Sequence, residues 1–323
     1  MDSVIENPRE SLRERLRWVR REALGLNRRN QEFLLQLNPP RLVALVDHKV
    51  QTKEVLGRHG LPVPDTYGRY VRQRELDNLA REVERRPEFA LKPARGAGGE
   101  GVVVIAGRTH DRLLKASGGQ LRLGDLVAHA ADIIAGAFSL SQARDEAILE
   151  HRLAPEPVLA GYSPGGVPDV RVLVFRGVPV MAMLRLPTHA SDGRANLHVG
   201  GVGVGIDLAS GRAVHAICRD RSIVMHPDTH QPLSAIQVPC WNDILLLAAR
   251  SYEAIPLGYF GIDIVIDVRL GPIILELNAR PGLSIQLANH RGLRRVLDDL
   301  SRQRLEGLAA PERVALGQEV VVA

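Results

Sequence analysis

The stretch that most restricts what this chain can fold into is residues 261–282, GIDIVIDVRLGPIILELNARPG. Branched apolar residues alternate with polar ones on both sides of a Gly-Pro break, so the stretch reads as two strands joined by a turn over residues 268–272. Side chains in a strand repeat every two residues. Glu276 and Asn278 therefore share one face of the second strand, and Asp263 and Asp267 share one face of the first. Folding the hairpin about Arg269 and Leu270 sets Asp263 opposite Glu276. Two carboxylates facing across a ladder repel, and burial makes the repulsion costlier, so water or a cation has to sit between them. Asp263, Glu276 and Asn278 offer only hard oxygen donors, which suit Mg²⁺ bridging to phosphate and do not suit zinc. The plainer reading is a half-exposed hairpin with its polar residues on the wet side.

Residues 90–105, ALKPARGAGGEGVVVI, shift the balance towards the cation. A short apolar strand delivers Lys92, a proline breaks it, a loop with four glycines follows (Gly96, Gly98, Gly99 and Gly101), and a branched strand resumes. Glycines let backbone N–H groups wrap a polyphosphate, and a lysine at the loop base adds a point charge. The stretch lacks the GK[ST] ending of a Walker loop and the GxGxxG spacing of a dinucleotide fold. A simple glycine-rich hairpin turn is the competing reading.

At 323 residues and 45% hydrophobic content the chain can bury a full core in two or three subdomains. No run of about 18 apolar residues is present and the first residues carry no apolar signal core, so no membrane span is expected. Cys218 and Cys240 give neither metal spacing nor a disulfide framework, which points to a reducing cytoplasm. A net charge of +5 and 4% aromatic residues are too little for a nucleic-acid surface.

In chain order, residues 9–37 read as helix, with Leu12, Leu16, Val19 and Ala23 at three- and four-residue intervals among Arg13, Arg17, Arg20 and Arg21. Its arginines form a solvated face or rest on an anionic surface or partner. Residues 41–46 read as a short apolar strand, 48–58 and 73–86 as helices, and 111–144 as mostly helix. Residues 147–153 form a strand before a Pro/Gly-rich loop, and 168–186 an antiparallel hairpin turning at 176–179. Asp169, Arg171 and Arg185 on or beside that apolar hairpin call for a polyanionic ligand. A glycine-rich stretch with Arg194 and Asn196 follows, then a helix over 242–255 and a last helix over 292–308. The tail beyond Ala309 reads as peripheral. His215, His226 and His230 lack zinc-site spacing.

Taken in order, DHKVQTK, GLPVP, LKPARGAGGEGV, DVRVLVFRG, RANLHVGG, GIDIVID and ILELNARPG resemble the ATP-grasp superfamily over roughly residues 43–290. Within it the chain looks most like RimK-type, α-L-glutamate-ligase-related proteins. The resemblance implies an α+β, ATP-grasp fold, two lobes holding ATP between them. Its expected division is a helical extension over 1–45, an N-terminal lobe with the flap over 46–150, a C-terminal lobe with the magnesium site over 151–290, and a C-terminal helix and tail over 291–323.

The activity implied is ATP-dependent joining of a carboxylate to an amine through an acyl phosphate, with release of ADP and phosphate. Family correspondence places Lys49 and Lys92 on the α- and β-phosphates, and Arg185 facing the γ-phosphate. The glycines of the flap cover the phosphates. The backbone of the strand over residues 150–153, with Glu150, His151 and Leu153, reads the adenine edge, with Glu156 on the ribose. Asp263, Glu276 and Asn278 hold magnesium, usually two ions, with Mn²⁺ as a substitute. Arg171, Arg194, Asn196 and Arg280 lie on the substrate side, with Arg171 and Arg280 counted beside Arg185 among the catalytic arginines. The expected substrates are a carboxylate donor, an amino acid such as glutamate, and an amine acceptor, which is a peptide, protein or metabolite.

One departure stands out. Only about 45 residues precede the DHK motif, too few for the doubly wound domain that glutamate and D-alanine ligases place there. A partner chain or a second copy is then expected to complete the substrate site, unless a large acceptor docks on an open surface. Two other readings stand beside the ligase: the same ATP chemistry on a sugar-linked or cell-envelope substrate, and a nucleotide-binding regulatory module without turnover.

Overall fold

The computed structural model describes residues 21–96, 98–139 and 143–322. Two antiparallel sheets organise it. The smaller has six strands in the order β1-β6-β2-β3-β4-β5: β1 (Thr66–Tyr70), β2 (Phe89–Pro93), β3 (Val103–Arg108), β4 (Leu113–Lys115), β5 (Gln120–Leu121) and β6 (Ala147–Glu150). The larger has seven in the order β11-β10-β9-β8-β7-β12-β13: β7 (Asp169–Phe175), β8 (Val178–Leu186), β9 (Val202–Ile206), β10 (Ala213–Cys218), β11 (Arg221–Ser222), β12 (Tyr259–Asp267) and β13 (Gly271–Asn278).

The small sheet buries one face under two helices, α3 (Leu76–Glu84) and α4 (Leu123–Ala135). Leu76, Leu79 and Val83 recur at helical spacing on α3, and with Leu126, Ala130 and Ile133 of α4 they pack on Phe89, Leu91 and Leu149. Gly136 ends α4 in the left-handed conformation (φ 93°), where a side chain would be strained.

The large sheet is covered on both faces, which is why β7, β8 and β12 are almost continuously apolar rather than alternating. On one face lies α5 (Trp241–Ala254), with Ile244, Leu245 and Ala248 against Val172, Leu184 and Ile262. On the other lie α6 (Arg294–Ser301) and Phe33, with Val296 and Leu297 near Phe175 and Tyr259. Each fully buried Leu, Ile or Phe in these layers contributes about 1.5–3 kcal/mol of hydrophobic stabilisation.

Four expectations need correction. Residues 41–46 are not a strand: α1 (Pro40–Val46) begins with a proline whose fixed φ suits the first helical position, and its apolar side chains seat on the large core. A second helix, α2 (Lys49–Arg58), follows directly. The 111–144 stretch is helical only in α4, because residues 113–121 extend the small sheet as β4 and β5. The last-helix prediction shrinks to α6. The tail is not peripheral: α7 (Ala310–Val322) buries Ala310 and Val314 in the core, and a Cβ at Gly317 would lie 2.2 Å from the Pro179 carbonyl oxygen, so the helix backbone rests directly on β8.

Of the Arg-rich first helix, Leu12, Leu16, Val19, Arg13, Arg17 and Arg20 lie outside the described residues. Residues 26–37 are helical, with a π turn at Arg29–Leu34, and Asn38 ends them. The Asn38 amide donates to the Tyr259 and Ala279 carbonyls (2.7 and 3.1 Å) and accepts from the Tyr259 N–H (3.0 Å), fastening this segment to the β12–β13 hairpin. Among the described residues no helix is long and apolar enough to cross a membrane.

Candidate active site

The hairpin read from the sequence forms with the expected register: Asp263 of β12 faces Glu276 of β13. The pairing slips next to it, where Ile264 faces Ile274 and leaves Leu275 as an extra residue, a bulge that re-aims the strand beside Glu276. On the other side of β12, Asp263 faces Arg171 of β7, and further along β7 Asp169 faces Arg185 of β8. Four adjacent strands thus bring Glu276, Asp263, Arg171, Asp169 and Arg185 together.

The charge on Asp263 is met by guanidinium groups from its own sheet. Arg171 donates from Nε and Nη2 to the two Asp263 oxygens (2.7 and 2.6 Å), and Arg185 donates from Nη2 to Asp263 Oδ2 (2.7 Å) and from Nε to Asp169 Oδ1 (2.6 Å). Two carboxyl groups and two arginines, all largely buried, are joined by charge-assisted hydrogen bonds. Burial pushes the Asp263 carboxyl up, but Arg171 and Arg185 outweigh it and hold it well below the usual carboxylate range. Asp169 has the weaker share: burial pushes it up to about 7 against the pull of Arg185, with the Asp263 charge adding to the rise. The same two carboxylates outweigh burial at Arg185 and raise its already high value.

A second charged cluster lies between α2, β2 and β6. The buried Glu150 carboxylate accepts from Lys92 Nζ at 2.5 Å and from Lys53 Nζ at 2.9 Å, and Lys53 also donates to Thr66 Oγ1 at 2.9 Å. Burial raises Glu150, yet the two lysines bring it below its ordinary value, while burial is the main force lowering Lys53. Lys49, one turn before Lys53 on α2, sits 3.6 Å from Glu276 and donates to the Gly96 carbonyl at the base of the flap.

Within the flap, Gly98, Gly99 and Gly101 all have φ between 64° and 79°, a region that favours glycine, and a Cβ at Gly101 would collide with the Phe138 ring. Asn196 Nδ2 donates to the Gly98 carbonyl at 3.3 Å, and the Arg194 side chain lies against Gly99. Among residues expected near adenine, Glu150 stands in β6 between Thr66 of β1 and Ala90 of β2, and the His151 N–H donates to the Asp65 carbonyl. Leu153 is buried with Val265 and Ile273, and the Glu156 N–H donates to the Ile266 carbonyl. Arg280 is turned to Asp47, with two hydrogen bonds of 2.9 and 3.1 Å, and its N–H donates to Asn278 Oδ1.

The structure therefore brings together Lys49, Arg171, Arg185, Asp263 and Glu276, sets Lys92 with Glu150, and joins Arg194 and Asn196 to the flap. The sequence reading left out Asp169 and Lys53 as site residues, and the side chain of Glu150 as distinct from its backbone. Lys53 follows Lys49 by four residues on one helix face, and Asp169 sits opposite Arg185 once the hairpin turn is placed, so both carried a signal.

Among the described residues no group of three or more His, Cys, Asp and Glu side chains is placed to hold a metal ion. Asp263, Glu276 and Asn278 offer two carboxylates and one amide oxygen, the hard donors that Mg²⁺ takes, but here both Asp263 oxygens accept from Arg171 and Arg185, and Asn278 Oδ1 accepts from the Arg280 N–H.

Residues 28–302 match the family described as sugar-transfer associated ATP-grasp. Among solved structures, the chain is similar to the ATP-grasp ligase PsnB complexed with minimal precursor, at 17% identity and a TM-score of 0.42, covering 83% of this chain and 64% of that one. It is also similar to the D-cycloserine synthetase DcsG, at 16% identity and a TM-score of 0.44, covering 88% of this chain and 73% of that one. A third is the D-alanine-D-alanine ligase from Coxiella burnetii, at 12% identity and a TM-score of 0.41, covering 86% and 58%. The chain thus spans just under two thirds of the length of the PsnB chain. No curated protein matches.

Proposed function

We propose, from the premise that this chain belongs to the sugar-transfer associated ATP-grasp family, that it is an ATP-dependent ligase that activates a carboxylate as an acyl phosphate and passes it to an amine. The observation that carries this reading is the convergence of Lys49, Arg171 and Arg185 on Asp263 and Glu276. Phosphoryl transfer is mainly positioning and charge neutralisation, and a cation-lined acidic site supplies both.

In this reading Lys49 and Lys92 bind the phosphates and Arg185 meets charge developing on the transferred phosphoryl group. Arg171 is shared between Asp263 and the substrate carboxylate, for which its fork is suited. Mg²⁺, held by Glu276 and Asn278 with Asp263, supplies neutralisation of the β- and γ-phosphate charge when bound. The flap from Gly96 to Gly101 excludes water, since an acyl phosphate hydrolyses readily. Arg194 and Asn196, which touch the flap, bring the substrate side to it.

The finer assignment, a RimK-type ligase using glutamate, is one form of this activity. A sugar-linked acceptor is the form favoured by the family description. Two free thiols, Cys218 and Cys240, support placing the activity in a reducing cytoplasm. Nucleotide product analysis with Mg²⁺-ATP tests the reading: ADP and phosphate are expected, with turnover lost in Glu276→Ala. ATP that binds without being consumed, whatever carboxylate and amine are supplied, would favour the regulatory module.

A further inference from the structure

We infer that Asp169 is the positioning residue of Arg185, holding its guanidinium in place when Asp263 turns to another partner. The inference rests on the proposed ATP chemistry for its purpose, but its geometry is independent of it. Arg185 is anchored at two points: Nε to Asp169 at 2.6 Å and Nη2 to Asp263 at 2.7 Å. The second anchor is shared, because Arg171 already holds both Asp263 oxygens. It is also the one that a cation at Asp263 and Glu276 would draw away. The first anchor is exclusive: Asp169 makes its only side-chain hydrogen bond among the described residues with Arg185, directly across the β7–β8 ladder.

Stability alone is a weak reason for an ion pair here: a buried pair is often no more stable than well-packed apolar residues of the same volume, and apart from Arg171 the rest of both strands is apolar. An arginine side chain has several rotatable bonds, and an untethered one would scatter in a cleft where geometry decides rate. Asp169 leaves Arg185 Nη1 without a hydrogen bond among the described residues, as the group free to meet a ligand oxygen. Asp169 touches no reacting atom in this account and acts only through Arg185.

Two measurements test this. The first is kinetic. Asp169→Ala is expected to lower kcat about 100-fold, the scale of a misplaced catalytic group, while binding of a non-hydrolysable ATP analogue with Mg²⁺ stays within about twofold of wild type. In an Arg185→Ala background the same substitution should cost nothing further. Independent, multiplying losses would overturn the inference, as would an unchanged kcat.

The second measurement follows the Arg185 Nε–H resonance of ¹⁵N-labelled protein, assigned by its loss in Arg185→Lys, and needs no turnover. The inference expects a slowly exchanging signal that survives addition of Mg²⁺ and the ATP analogue, and that is lost or shifted in the near-isosteric Asp169→Asn. A signal indifferent to Asp169→Asn, or one that vanishes from wild type on adding Mg²⁺ and the analogue, would overturn it. If wild type turns over no ATP, the ligase reading fails while this second measurement still decides the role of Asp169.

Discussion

Glu150 keeps a buried negative charge because two lysines surround it, and that charge has a pH signature. Its folded pKa lies below the ordinary 4.5, so the pairing contributes stability fully above that pH and loses it as the pH falls towards the folded value. Glu150→Gln leaves Lys92 and Lys53 buried without a counter-charge, and should cost about 3–5 kcal/mol at pH 7 in urea unfolding. Its stability should also fall less steeply than that of wild type below about pH 4.5. Parallel acid limbs for the two proteins would contradict the pairing. Glu276 presents the opposite case, a half-buried carboxylate whose nearest cation is Lys49 at 3.6 Å, with no bidentate partner of its own. Glu276→Ala is therefore expected to abolish turnover, by about 100-fold or more, with a melting temperature within a few degrees of wild type. Lys92→Ala should weaken ATP-analogue binding at least tenfold in titration calorimetry, about 1.4 kcal/mol.

At the scale of elements, the close seat of α7 on β8 makes a sharp case. Gly317→Ala brings about 1 kcal/mol of helix propensity, but the added Cβ would stand 2.2 Å from the Pro179 carbonyl, and overpacking of this kind costs about 1–3 kcal/mol. The clash should win, and a lowered melting temperature with unchanged helical circular dichroism would show it. Elements with a long, clean period were legible from the sequence: the β12–β13 hairpin, the β7–β8 hairpin, whose turn was read over residues 176–179 and is confined to Arg176 and Gly177, and α5 within one residue at each end. Residues 41–46 were not, because a five-residue apolar run, Leu42 to Val46, fits a strand as well as a buried helix, and Pro40 decided it. Strands β4 and β5 are too short to carry a pattern, and the docking of α7 is a tertiary contact with no local signal. The candidate site divides the same way. The facing of Asp263 and Glu276 follows from the strand period, whereas the meeting of Lys92 with Glu150, or of Arg280 with Asp47, depends on elements far apart in the chain.

For the whole molecule, the two antiparallel sheets meet where Lys49 of α2 reaches both the flap base and Glu276, and where Asn196 reaches the flap. A ligand that binds there ties both lobes and should stabilise the fold by linkage, by about 2.7 kcal/mol at 100 times its dissociation constant, which raises the melting temperature. The stabilisation is expected with Mg²⁺-ATP and should shrink when the cation is chelated, because the acids at Glu276 and Asp263 would then face the phosphates directly. The proposed activity asks for more than binding, since a carboxylate must become an acyl phosphate on this surface. The measurement that tests it most directly incubates the protein with Mg²⁺-ATP, a pooled panel of amino acids, dicarboxylates and amino sugars, and hydroxylamine, with Glu276→Ala alongside. ADP is expected together with a hydroxamate that is absent from the variant, and the trapped carboxylate names the donor. ADP formed at the same rate in Glu276→Ala, or formed in wild type with no hydroxamate from any carboxylate, would contradict it.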